Sequence, residues 1–177
     1  PRFELFSQIM DVYEQSGRSV PTFFDKHFSY SWEKADALYR RAKKIGFPFM
    51  AGSSIPLTIR KPALDPPLET PITEAVALGY GDPDAYGFHT LEGLQCMVER
   101  RGHGETGVKA VQLVEGDEVW KASEGGRWSR DLLISALSRS DTPLGTGETE
   151  SRPEDLVASG QLPNLVAHPA AYFIEYR

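Results

Sequence analysis

Two short apolar runs constrain this chain more than any other feature: Val20-Pro21-Thr22-Phe23-Phe24 and Phe47-Pro48-Phe49-Met50-Ala51-Gly52. Both are β-prone and too short for helices, so they read as buried strands. The stretch between them has helical period. Trp32, Ala35, Leu38, Ala42 and Ile45 make one apolar face, Ser31 can cap its start, and Glu33 lies in the electropositive first turn. Gly46 suits the left-handed residue that ends a helix. Strand, helix and strand in so compact a span form a βαβ unit, which predicts parallel pairing with a right-handed crossover. Open α/β sheets bind ligands beyond the carboxyl ends of their strands. That rule singles out Asp25, Lys26 and His27, directly after the first run. The functional reading makes Lys26 a donor to a substrate oxygen, steered by Asp25. The plain alternative is a polar strand-to-helix turn.

Around this unit the spacing predicts further elements. Phe3, Phe6, Met10 and Tyr13 place a helix over residues 2–15, ended near Gly17. Pro56, Pro62, Pro66, Pro67 and Pro71 crowd the segment 56–71. Each lacks a backbone donor, so the segment reads as a linker between residues 1–55 and 72–177. Beyond it, Ile72, Val76 and Leu78 suggest a strand, and Gly79 to Asp84 a turn-rich loop. Leu91, Leu94, Met97 and Val98 mark a helix through about Arg101, stopped by Gly102 and Gly104. Val108 to Val114 reads as a strand. Ser129 can cap a helix burying Leu132, Leu133, Ala136 and Leu137. Residues 138–164 read as a long exposed loop, and Ala171 to Tyr176 as a last strand.

Composition narrows the function classes. The net charge of −6 leaves no general basic surface for nucleic acid or anionic lipid. No apolar run approaches the roughly 18 residues of a membrane span. Cys96 is the sole cysteine, so there is neither an internal disulfide nor a site built on several thiolates, and it reads as a small packing residue. No address signal is legible, which leaves the cytoplasm as the default. Asp82, Asp84, Tyr86 and His89 lie in a glycine-rich loop entering a helix, where His89 can act as acid or base or can sit hydrogen-bonded in the core. Asp25, His27, Asp84 and His89 match no metal-ligand spacing, so no metal site is predicted. There is no phosphate-binding loop and no nucleophile elbow. The runs Glu99-Arg100-Arg101 and Arg127-Trp128 with Arg130 read as solvated faces.

Residues 17–54, GRSVPTFFDKHFSYSWEKADALYRRAKKIGFPFMAGSS, resemble the second half of the nucleotide-binding domain in the glucose–fructose oxidoreductase/inositol dehydrogenase (Gfo/Idh/MocA) family. There a strand ends in Glu-Lys-Pro, an alanine- and leucine-patterned helix follows, and the next strand ends in glycine. Lys26, Ala35, Leu38, Ala42, Gly46 and Gly52 fall in register. Residues 86–99, YGFHTLEGLQCMVE, resemble the family's Asp-x-Gly-x-His followed by Leu-Asp, with Gly87, His89, Leu91 and Glu92 matching. The resemblance implies an α/β fold: a partial Rossmann-like βαβ unit, then part of an α+β substrate domain with a mainly antiparallel open sheet through which subunits pair. It implies hydride transfer between NAD or NADP and a sugar or polyol. Lys26 then contacts the substrate hydroxyl and His89 relays its proton, with Asp25, His27, Asp84 and Tyr86 at the substrate.

Three positions depart from the family. Asp25 stands for Glu, and His27 for Pro, so a trans backbone is expected there. Ala85 occupies the place of the family's Asp, one residue from Asp84. The dinucleotide glycine fingerprint is absent; it belongs upstream of Val20. The resemblance thus implies an internal stretch of a longer protein, with the cofactor expected for the full-length chain and not for these residues alone. A non-catalytic carbohydrate-binding or assembly protein that keeps the fold is the alternative, and a metal-dependent sugar isomerase or hydrolase a third class.

Overall fold

The computed structural model describes residues 2–139 and 152–177, and these divide into two compact units, one on either side of the Thr58–Ile59 junction. Among the described residues the fold is mixed α/β, with one parallel and one antiparallel strand pair.

The first unit is α1 (Arg2–Ser16), β1 (Thr22–Asp25), α2 (Trp32–Ile45) and β2 (Phe49–Gly52). β1 and β2 pair in parallel from Thr22↔Phe49 to Asp25↔Gly52, with α2 between them in sequence, as the spacing predicts. The strands are shorter than the apolar runs because Pro21 and Pro48 stand at their entrances, and proline cannot donate to a ladder. Ser31 caps α2 through Lys34 N (3.4 Å), and Gly46 ends it at φ +82°. The core consists of Phe6 and Met10 from α1, Leu38 and Ala42 from α2, and Phe47, ringed by Phe24, Phe28 and Phe49. Arg41 ties the two helices together, bonding Asp11 (2.6 Å), Glu14 (2.5 Å) and the Ser7 carbonyl (3.3 Å). The opposite sheet face carries Phe23 and Met50, both more than half exposed. Trp32, expected on the buried face of α2, is 79 % exposed at its first turn.

The second unit contains α3 (Phe88–Val98), β3 (Val108–Glu115), α4 (Asp117–Glu124), α5 (Arg130–Leu137), α6 (Pro153–Ala158), α7 (Leu162–Leu165) and β4 (Ala170–Tyr176). β3 and β4 are antiparallel, Val111 facing Ile174 and Leu113 facing Tyr172. Val98, Val119, Ala122, Leu133, Leu156 and Val157 are buried.

Several expectations change here. No strand forms over Ile72 to Leu78; only Thr70 bridges, to Arg101. A short apolar segment becomes a strand only with a neighbour to take its backbone groups, and among the described residues none pairs with 72–78. Residues 138–164 are not loop throughout. Pro153 opens α6, where its missing N–H costs nothing, and Leu156 and Val157 are buried beneath it. The remainder of that expectation, 140–151, lies outside the described residues. The arginine runs are not simply solvated. The Arg127 guanidinium lies 4.2 Å from the Phe173 ring centre and Arg101 4.3 Å from that of Tyr176. Arg130 donates to Ser123 Oγ (3.0 Å). Trp128 Nε1 donates to the Val119 carbonyl (2.9 Å).

Candidate functional site

At the carboxyl end of β1 the chain does not simply turn away. Lys26 N still donates to the Gly52 carbonyl (2.9 Å), one residue past the strand. That bond holds Lys26 at φ +75°, a left-handed conformation costing an L-residue about 1–2 kcal/mol. Phe24 and Phe28, on either side, both pack on Phe6, at ring separations of 4.9 and 5.6 Å. The triplet Asp25-Lys26-His27 is thus a short strained arch between two core anchors. Its peptide bonds are trans, as expected where His27 stands for proline. Lys26 Nζ donates to Asp25 Oδ2 at 2.8 Å, with the lysine side chain 32 % exposed and the aspartate 59 %. Partial burial holds the His27 imidazole below its usual pKa, with the positive charges of Arg2 and Lys26 adding to the effect. Beside the arch, Gly52 gives way to Ser53, which is buried and whose hydroxyl accepts from Ile55 N (3.0 Å).

The second group is built around the start of α3. Asp82 Oδ1 accepts from Asp84 N (2.8 Å) and caps a π-helical turn, Pro83–Gly87, that runs directly into α3. Single π turns often mark functional positions. Asp84 and Tyr86 are exposed, while His89, in the first turn of α3, is half-buried with its ring 6.1 Å from that of Phe88. Tyr80 stacks on Tyr86, ring centres 5.6 Å apart and planes 29° from parallel. The preceding loop fits closely against this turn. A Cβ on Gly79 would lie 2.0 Å from Thr90 Oγ1, and one on Gly81, at φ +82°, would lie 2.7 Å from the Tyr86 ring. The structure therefore places Asp25, Lys26 and His27 together in the first unit, and Asp84, Tyr86 and His89 around one helix start in the second.

Contrary to the sequence reading, the letters Gly-x-Gly-x-x-Gly do occur, from Gly102 to Gly107. Their setting is the reverse of a dinucleotide fingerprint, because they lead from helix α3 to strand β3 rather than from strand to helix. Their amides also turn inward: Gly104 N donates to the Arg101 carbonyl (2.6 Å) and Gly107 N to Glu105 Oε1. These residues do not fit a pyrophosphate.

Two features lie outside the predicted residues. A cleft of about 320 Å³ opens at the helix ends of the first unit, lined by Tyr13, Glu14, Gly17, Arg18, Ser19, Lys44 and Ile45. It adjoins the amino end of β1, since Tyr13 bonds Thr22 there (2.9 Å). Cys96 is half-buried, donates to the Gly93 carbonyl (3.1 Å) and accepts from Arg60 (3.6 Å), so its sulfur is held by polar contacts as well as packing. Among the described residues no three His, Cys, Asp or Glu side chains gather closely enough to hold a metal ion, and no helix is long and apolar enough to cross a membrane. No family model, curated protein or solved structure matches the chain.

Proposed function

We propose that the chain is part of an oxidoreductase of the Gfo/Idh/MocA kind, transferring hydride between NAD or NADP and a sugar or polyol. The observation that carries the reading is the arch at Lys26. A charged donor sits beyond the carboxyl ends of parallel strands, on strained backbone, between two partly buried phenylalanines that pack against the core. Strain of this kind persists only where the surroundings impose it, and it gathers at binding sites.

The chemistry of these residues is polar. A lysine ammonium has three donors, and one reaches Asp25. The others can turn to a ligand hydroxyl, fixing its oxygen while Asp25 keeps the ammonium oriented. An alcohol does not ionise unaided near neutral pH, so hydride transfer needs a positioned base, and within the second unit the resemblance offers His89 for that role. Redox power comes from the nicotinamide, and its pyrophosphate needs a glycine loop and helix start of a type that Gly102 to Gly107 do not supply. In this reading an upstream βα unit provides it. The misfit also favours a second reading, a carbohydrate-binding protein that keeps the fold without the redox step.

Titration calorimetry with neutral sugars and polyols, on the chain and on Lys26→Met, tests the proposal. Losing a hydrogen bond to a charged donor should weaken binding by about 10- to 100-fold. Unchanged affinity removes Lys26 from the site. Nicotinamide-dependent turnover by the whole gene product separates the two readings: turnover selects the oxidoreductase, and binding without turnover selects the alternative.

A further inference from the structure

The geometry points to the Tyr80–Tyr86 stack as a sugar-binding ledge that selects neutral carbohydrates over anionic ones. This inference rests on the carbohydrate reading above and adds to it a recognition element and a charge preference.

Tyr80 is 84 % exposed, an unusual position for a large ring. Gly79 fits against Thr90 and Gly81 against the Tyr86 ring so closely that neither site has room for a Cβ. One face of the Tyr80 ring meets Tyr86, and the other is turned to solvent. The flat apolar face is thus open to a ligand, beside a loop fitted closely against Thr90 and Tyr86.

Size and charge decide what it fits. A protein partner needs about 800 Å² on each side, far more than one ring face offers. A quaternary ammonium is held best by several rings turned around it, whereas these two are nearly parallel and share one stacking direction. A pyranose or inositol ring has matching dimensions: its C–H face lies on the aromatic face, and its hydroxyls point outward to hydrogen-bond acceptors. The same loop supplies carboxylates. Asp84 is exposed, and Asp82 is fixed by its cap bond to Asp84 N. Ionised carboxylates only accept hydrogen bonds, so they suit hydroxyl donors and repel sugar phosphates and sugar acids.

Saturation-transfer NMR tests the ledge directly. The tyrosine ring protons are saturated and the C–H protons of glucose, myo-inositol, gluconate and tetramethylammonium are observed, using the chain and its Tyr80→Phe, Tyr80→Ile and Tyr80→Ala variants. The expected result is transfer to glucose or myo-inositol, retained in Tyr80→Phe and weakened about 2- to 10-fold in affinity in Tyr80→Ile and Tyr80→Ala. Tyr80→Ile keeps bulk without a flat face, which separates stacking from loop collapse. Preferential transfer to gluconate or tetramethylammonium overturns the proposal, as does absence of transfer to every probe. If all Tyr80 variants bind glucose or myo-inositol like the parent while Lys26→Met loses it, the ledge fails and the proposed function stands. If transfer depends on Tyr80 but the whole gene product turns over no sugar or polyol, the ledge stands and the oxidoreductase reading fails.

Discussion

Lys26 carries its side chain on a backbone that glycine would adopt without penalty. Stability and function should therefore pull apart at this residue. Lys26→Gly is expected to stabilise the first unit by about 1 kcal/mol in urea denaturation, with the same variant losing sugar binding. A destabilised Lys26→Gly protein would show that the arch is not strained. His27 gives a pH signature. Its folded pKa lies below the unfolded value of 6.5, so the unfolded chain takes up the proton first as pH falls. The stability contribution is present above about 6.5 and is lost progressively below it. His27→Asn should flatten the pH dependence of the denaturation midpoint between neutral pH and about 5. A midpoint dependence unchanged by the substitution would mean that another group titrates. The sequence shows Asp25, Lys26 and His27 as residue types in a promising place, but not the conformation. Lysine carries no sign of a positive φ, and the bond imposing it comes from Gly52, across the sheet.

At the scale of elements, α2 is legible because local and tertiary signals agree: a capping serine, a terminal glycine and an apolar stripe all give one boundary. Leu38, 2 % exposed on that stripe, is the largest side chain that α2 buries in the core it shares with α1. Leu38→Ala should cost about 2–5 kcal/mol, read as a lowered urea midpoint with a loss of helical circular dichroism. A cost below 1 kcal/mol would mean that the cavity collapses freely or that the core is looser than the packing of Phe6, Met10 and Phe47 implies. The missed elements fail for identifiable reasons. Ile72, Val76 and Leu78 share one face of an extended segment, but Glu74 interrupts that face and no strand among the described residues pairs with it. α4 is short, and its signals are modest: Asp117 and Glu118 in the first turn, then Val119, Ala122 and Ser123 on the buried side. α6 opens on Pro153, which reads equally well as loop punctuation until Leu156 and Val157 are seen to be buried.

At the scale of the whole molecule, the chain divides between Thr58 and Ile59, within the proline-rich stretch. Leu57, Ile59, Leu64 and Leu68 are all more than half exposed there. Brief protease treatment should cut first in this stretch and leave two folded products, detected by mass spectrometry. First cuts inside α1 or α2 would contradict the division. The proline-rich stretch is itself readable in the sequence, whereas the pairing of β3 with β4, distant in the chain, depends on long-range contacts that local pattern does not encode. The three tryptophans fall unequally across the division. Trp32 stands almost bare on the first unit, while Trp120 and Trp128 are half-buried in the second with ring centres 6.3 Å apart. Intrinsic fluorescence is therefore already a two-channel instrument. Iodide will quench the red-edge emission of Trp32, the blue-edge signal will follow the paired indoles, and the unfolding of each unit can be timed separately without attaching a dye.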